Sequence, residues 1–167
     1  MLARYDLPNA APAPLREVQL LINSVDLEHE RDWLPDWLAE HGLGTGEEGR
    51  ARALREALRA LVLANNGIVL DEAAVETVNA AARRVPLQVD AAGALSVSTD
   101  GDPLDRGVAI AFAAMFDGSW ERLKACRNCR WCFWDRSPNR SGTWCSMQIC
   151  GNRRKTRAYR SRRRASL

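Results

Sequence analysis

The sequence predicts an α+β chain in two parts: a mostly helical body over residues 15–119 containing one β-hairpin, and a small metal-stapled module over residues 120–167 ending in a basic helix. Three observations carry this. Apolar residues recur at helical spacing in several segments between 15 and 118, whereas strict alternation occurs only around 86–98. All five cysteines fall between Cys126 and Cys150. Charge also divides the chain: residues 120–167 carry 14 Lys/Arg against 2 Asp/Glu, leaving 10 against 19 for residues 1–119, so the formal charge of +3 conceals a basic module and an acidic body.

Residues 1–14 are rich in Ala and Pro and show no period, which predicts an extended arm or a strap laid on the body. From Leu15 to Val25 the apolar run of Val18, Leu20, Leu21, Ile22 and Val25 reads as a buried helix, and Asn23, which interrupts it, is expected to cap or brace backbone. Asp32 is placed to cap a short helix bearing Trp33, Leu34, Trp37 and Leu38, with Gly42 as its stop. The two tryptophans, four apart, read as one core stripe, and His29 and His41 as solvated or capping residues.

Thr45-Gly-Glu-Glu48 has the form of a capping box opening the longest helix, where Leu54, Leu58, Leu61 and Val62 repeat and Arg52, Arg55, Glu56 and Arg59 are expected to face outward. Asn65-Asn66-Gly67 ends it. Asp71 then caps a helix that buries Ala74, Val75, Val78 and Ala81 and stops near Arg84 and Pro86. Leu87/Val89 and Leu95/Val97 alternate with polar residues about Ala92-Gly93, predicting a hairpin with one buried face. Asp102-Pro103 opens a last body helix that runs to Gly118, and Ser119 is expected to cap a linker helix through Trp120, Leu123 and Ala125.

Cys126 and Cys129 have two residues between them and Cys145 and Cys150 have four, with a loop between the pairs. Each short pair supplies two sulfurs from one turn, and the loop brings the second pair round, which is the layout of a tetrahedral Zn²⁺ site with these four ligands and one ion per chain. Cys126, Cys129 and Cys132 also mimic the opening of an iron–sulfur run, but where that run needs Cys then Pro stand Arg136 and Ser137. A disulfide framework would need an oxidising compartment, and no secretory pattern is present in Met1 to Pro14. Cys132, among Trp131, Phe133 and Trp134, reads as a small buried hydrophobe beside the metal. With no apolar run of eighteen residues, the expected location is cytoplasmic, in association with the nucleoid, and not in a membrane.

Past Cys150 a helix would set Arg153, Arg157, Arg160 and Arg164 on one side with almost nothing apolar behind them. Such a helix gains little from core packing and its charges repel, so an anionic partner is indicated: nucleic-acid phosphates, an acidic protein, or the acidic body.

At these residues the sequence resembles the CGNR zinc-finger family, through Cys150-Gly151-Asn152-Arg153 and through Cys129-Arg-Trp, Phe133, Asp135, Ser137, Asn139-Arg140, Trp144-Cys145-Ser-Met147, Lys155 and Tyr159-Arg160. The upstream part is similar to the ABATE domain that usually precedes that finger, in Leu21-Ile-Asn-Ser24, Asp32-Trp-Leu, Trp37-Leu-Ala-Glu40 and Ala53-Leu-Arg-Glu-Ala-Leu-Arg-Ala60. The resemblance implies Zn²⁺ on Cys126, Cys129, Cys145 and Cys150, a zinc-ribbon or treble-clef-like finger, and a bacterial, stress-linked transcription regulator binding double-stranded DNA. Two departures stand out: Cys132 occupies a usually apolar position, and Gly142-Thr143 replace arginines often found before the Trp-Cys pair.

The functional reading is a zinc-dependent nucleic-acid-binding regulator, with Arg153, Arg154, Lys155, Arg157 and Arg160, joined by Arg136 and Arg140, on phosphates. RNA binding through Trp131, Trp134 and Tyr159, or a zinc-stabilised protein–protein adaptor, are the alternatives. The helical body is expected to take a small effector or a second subunit. Catalysis is not expected: four thiolates close the zinc shell, and no glycine-rich phosphate loop, Ser/His/Asp set or carboxylate pair converges in the body.

Overall fold

The computed structural model describes residues 9–156 and residue 163. Residues 9–14 lie against the body as a strap; residues 1–8 of the arm or strap expected over 1–14 lie outside the described residues. Ala11 is buried, its amide donates to Gln19 Oε1 at 2.8 Å, and the Asn9 carbonyl accepts from Gln19 Nε2 at 3.0 Å. Helix α1, Leu15–Ile22, buries Val18, Leu21 and Ile22 against the helices of residues 48–64 and 103–116. Strands β1, Val25–Asp26, and β2, Arg31–Asp32, pair antiparallel and lead into α2, Leu34–Glu40, whose first amide is taken by Asp32 Oδ1 at 3.0 Å. Gly42, at φ 70°, turns the chain away, a conformation open to glycine.

Helix α3, Glu48–Ala64, is the longest, and α4, Glu72–Ala82, packs along it. Asp71 accepts from Ala73 N at 3.1 Å as the expected N-cap of α4. Strands β3, Leu87–Val89, and β4, Leu95–Val97, form the predicted hairpin in register Leu87↔Val97. Helix α5, Pro103–Phe116, starts as expected, Asp102 accepting from Leu104 N at 2.8 Å and Asp105 N at 3.0 Å with Pro103 in the first turn. Leu34, Leu58, Val62, Leu104 and Val108, all essentially without solvent contact, fill the space between these helices.

Five expectations are corrected. Thr45 caps nothing: Thr45–Glu47 winds as a 3₁₀ turn, and acidic residues Glu47 and Glu48 stand at the positive end of α3 instead. Arg55 and Arg59 do not face outward but are 2% and 4% exposed. Burial is tolerated because each guanidinium is hydrogen-bonded and paired with a carboxylate: Arg55 forks Asp32 at 2.7 and 3.2 Å, and Arg59 donates to Glu56 and to the carbonyls of Ile22 and Arg130. Trp33 and Trp37 share no stripe, since Trp37 enters the body core while Trp33 packs against the cysteine cluster. The hairpin has no fully buried face, because only its β4 end reaches α5; Leu87, Val89 and Leu95 are 61–70% exposed. Finally, residues 120–125 form no linker helix. A 3₁₀ turn, Trp120–Arg122, passes straight into β5, Leu123–Ala125, which pairs antiparallel with β6, Cys132–Trp134.

That last difference fuses the two parts. Leu123, Ala125 and Cys132 lie in the same apolar cluster as the body helices. Polar side chains stitch the seam: Asn23 exchanges two 2.8 Å bonds with the Cys132 backbone, bracing it as Asn23 was expected to do, and Gln19 adds a third at 3.1 Å. Asn65 reaches the carbonyls of Trp120 and Leu123, Asn66 those of Ala125 and Thr143, and Arg127 returns a bond to the Asn66 carbonyl.

Candidate metal centre and basic surface

The β5–β6 hairpin holds the first cysteine pair at its tip. Cys126 N donates to Trp131 O and Arg130 N to Cys126 O, both at 2.9 Å, and Arg130 takes φ 64° to close the knuckle. Of the second pair, Cys145 precedes and Cys150 lies within a π-helical turn, Met147–Gly151, which Ser146 caps by accepting from Ile149 N at 3.3 Å. Helix 152–156 follows at once. Gly151 fits beneath Met147 and Trp144, where a Cβ would lie 2.9 Å from the Met147 sulfur. A knuckle on a β-hairpin facing a second pair at the start of a helix is the treble-clef-like arrangement expected of the module.

Cys126, Cys129, Cys145 and Cys150 bring their sulfurs within 4.8 Å of one another, and all four are buried. The Cys129–Cys145, Cys129–Cys150 and Cys145–Cys150 separations are 3.5, 3.6 and 3.7 Å. A tetrahedron of sulfurs at the usual Zn–S distance of about 2.3 Å has edges of about 3.8 Å, so the donors fit one Zn²⁺ with no open position. Asn128 Nδ2, 3.6 Å from Cys150 Sγ, supplies a donor to a ligand sulfur. The Cys126 thiol is drawn far down by accepting from Cys129 and then Cys145, whereas Cys129 is pushed up to about 12, first by its bond to Cys126, and Cys145 higher still by both. Four thiolates this close repel one another, and a divalent ion among them offsets that repulsion. Cys132 stands outside the set, wholly buried in the body core, where burial pushes its thiol up and closes it to redox partners.

The loop after β6 is organised by Asp135. Its Oδ1 accepts from Ser137 N and Oγ, its Oδ2 from Gly142 N and from the buried Lys124 ammonium at 2.8 Å. Partial burial raises the Asp135 carboxyl, but these donors outweigh it and hold the carboxyl at about 2. Gly142 is a steric requirement, since a Cβ there would meet Asp135 Oδ1 at 2.6 Å; an arginine at this position does not fit this loop.

The predicted phosphate-contacting residues divide into three groups. Arg153, Arg154 and Lys155 are exposed on helix 152–156, and Arg136 and Arg140 on the Asp135 loop. Arg153 pairs with Glu28 of the body, Arg140 pairs with Glu121, and Arg136 leans on the Ala10 carbonyl at 3.4 Å. Arg154 and Lys155 form no ion pair among the described residues. Arg157, Arg160 and Tyr159 lie outside the described residues. Trp131, 2% exposed, is core and not a stacking platform; Trp134 remains partly open.

Two family models match the sequence. Residues 9–118, more than half of the chain, match ABATE, described as "Putative stress-induced transcription regulator". The chain belongs to the ABATE family. Behind the ABATE region, residues 122–163 match the CGNR zinc finger, which includes all four zinc ligands. Neither description names an enzymatic reaction. No curated protein matches the chain. No helix among the described residues is long and apolar enough to cross a membrane.

The residues that join the ABATE part to its finger were largely invisible in the sequence. Asn23 was singled out as a backbone brace, but its partner 109 positions away was not foreseeable. Asn9, Asn66 and Arg59 carry no local signature of these bonds. A polar residue inside an apolar helical run, as at Gln19 between Val18 and Leu20, is the one signal that marks such a brace.

Proposed function

We propose that this ABATE protein is a zinc-dependent nucleic-acid-binding regulator whose finger grips double-stranded DNA, and that its division into an effector-sensing body, 15–119, and a DNA-binding module, 120–167, is functional. The observation that carries the reading is the exposed run Arg153-Arg154-Lys155, which follows directly on a closed, buried thiolate cluster. A closed zinc shell does no chemistry of its own, so it serves to hold that run rigid. Arg154 and Lys155, without carboxylate partners among the described residues, are charges awaiting an anion. Phosphates would complete them with little rearrangement, and the reading assigns Arg136, Arg140, Arg157 and Arg160 to further phosphate contacts. Acting inside the bacterial cytoplasm on the nucleoid follows from this reading, as does a stress-linked regulatory role.

The test is affinity for a duplex as a function of salt. Each phosphate contact contributes about 0.9 to the slope of log K against log salt. The double variant Arg154→Ala/Lys155→Ala is expected to lower the slope by about 2 while keeping zinc; an unchanged slope removes these residues from the interface. A second reading, binding to unpaired RNA, is favoured by one feature: a groove of about 540 Å³ lined by Trp134, Arg122, Arg136 and the strap at Ala10–Pro12, where a base could stack beside two guanidinium groups. Tighter binding to a single-stranded RNA than to the duplex, lost in Trp134→Ala, would establish it.

A further inference from the structure

The ABATE body contains a cavity of about 200 Å³ far in function from the finger's thiolates. Val18 and Leu21 of α1 and Pro103 and Gly107 of α5 give it apolar walls, and Trp37 of α2 completes them. Glu17 and Arg106, each close to half exposed, stand at its mouth with His41, which lies against the Trp37 ring at 3.9 Å.

Two features of these walls are unfavourable for folding alone. Trp37 is 4% exposed, yet its indole N–H has no hydrogen-bond partner among the described residues, although a buried donor left unmade destabilises the fold. Gly107 is buried in the interior of α5, where glycine is a poor helix former, yet a Cβ on it would touch nothing within 4 Å. Alanine would fit there and strengthen the helix. Trp37 and Gly107 line the same space; a ligand there fills what Gly107 leaves open, and a turn of the Trp37 ring, whose N–H is shut off from solvent in this structure, would bring the donor to the ligand's acceptor. The ion pair at the mouth is bidentate, at 2.8 and 3.0 Å, so it presents no unmatched charge.

We propose that this cavity binds a small uncharged molecule of about one aromatic ring, carrying a single hydrogen-bond acceptor such as a carbonyl oxygen for the Trp37 indole N–H. The size follows because a dry protein cavity of about 150 Å³ accepts benzene, leaving room here for a few atoms more. The site would supply the effector of the sensing role assigned to the body above, and it rests on that reading for its regulatory meaning only. A route to the finger is at hand: Val18 and Leu21 wall the cavity, while Gln19 and Asn23, on and just past the same helix, hold the Cys132 backbone of β6.

The experiment titrates acetophenone into the zinc-loaded, ¹⁵N-labelled full chain and follows the Trp37 indole N–H resonance, identified by its loss in Trp37→Phe. The expected result is a saturable shift of that resonance in the millimolar range, as befits so small a ligand. Gly107→Leu, whose side chain occupies the cavity, abolishes the shift while the other resonances keep their positions. Should Gly107→Leu not fold, Gly107→Ala is expected to fold at least as well as the wild type and to bind several-fold more weakly. An indole resonance that does not move, or moves equally in the glycine variants, overturns the site. A response to benzene equal to that for acetophenone overturns the acceptor requirement. DNA takes no part in the measurement, so failure of the cavity and failure of the DNA reading are separate results.

Discussion

Asn23→Ala tests whether finger and body are one folding unit. Asn23 is 3% exposed and makes two 2.8 Å bonds to the Cys132 backbone, donating to its carbonyl and accepting from its amide. In the variant the carbonyl keeps Gln19 Nε2 at 3.1 Å, but the buried amide loses its only described acceptor. An orphaned buried N–H costs about 1–3 kcal/mol, and the vacated amide volume about 1 more, for a total near 3 kcal/mol. For a chain of this size each kcal/mol shifts Tm by about 2–4 °C, so a fall of about 9 °C is expected. The assay is thermal unfolding with helical signal and zinc release to a chromophoric chelator recorded on the same sample. Because Cys132 lies three residues past the ligand Cys129 and within the body core, both signals should move together. A helical melt that shifts while zinc release stays put, or a Tm change under about 2 °C, would refute the claim that these bonds fuse the two parts.

Three further outcomes are expected. Zinc content measured by mass spectrometry should be one ion per chain in the wild type, lost in Cys150→Ser and retained in Cys132→Ser, because the Cys132 sulfur belongs to the body core and not to the thiolate cluster. Gly142→Ala should destabilise the chain by about 1–3 kcal/mol by chemical denaturation, since its Cβ meets an Asp135 carboxylate that several donors hold in place. Asp32 provides a pH test: partial burial raises its carboxyl, but Arg55, the Leu34 amide and Arg52 together hold it down at about 2. Its folded pKa lies below the unfolded value of about 3.9, so its contribution is present above that value and is lost as pH falls toward 2. The stability gap between wild type and Asp32→Asn should therefore be about 2 kcal/mol near pH 6, allowing for its partial exposure, and about half that near pH 3. A gap that is constant with pH would mean that the Asp32 charge carries none of it.

The legible part of this protein is the part written at short range. Helix starts at Asp71 and Asp102, the stop at Gly42, the hairpin about Ala92-Gly93 and the four zinc ligands all depend on residues within a few positions of one another, and all were readable. Misreadings came where a distant partner changed a residue's meaning. Arg55 and Arg59 have the spacing of a solvated helix face, and only Asp32 and the carbonyls of Ile22 and Arg130 make their burial tolerable. Residues 120–125 have helical apolar spacing, but the ladder with Cys132–Trp134 and the waiting pocket for Leu123 and Ala125 drew them into a strand. Trp33 and Trp37, four apart, were split between two clusters for the same reason.

By itself the sequence determined that a zinc ion would be bound, by which sulfurs, and that a basic segment would issue from the site, because ligand spacing and charge are local properties of the chain. Only the tertiary structure decided that the finger is built into the body instead of hanging from it. That outcome depends on Asn23, Gln19, Asn66 and Arg59 meeting backbone groups far away in sequence, and hydrogen bonds to a carbonyl or an amide leave no mark on the residue that offers it.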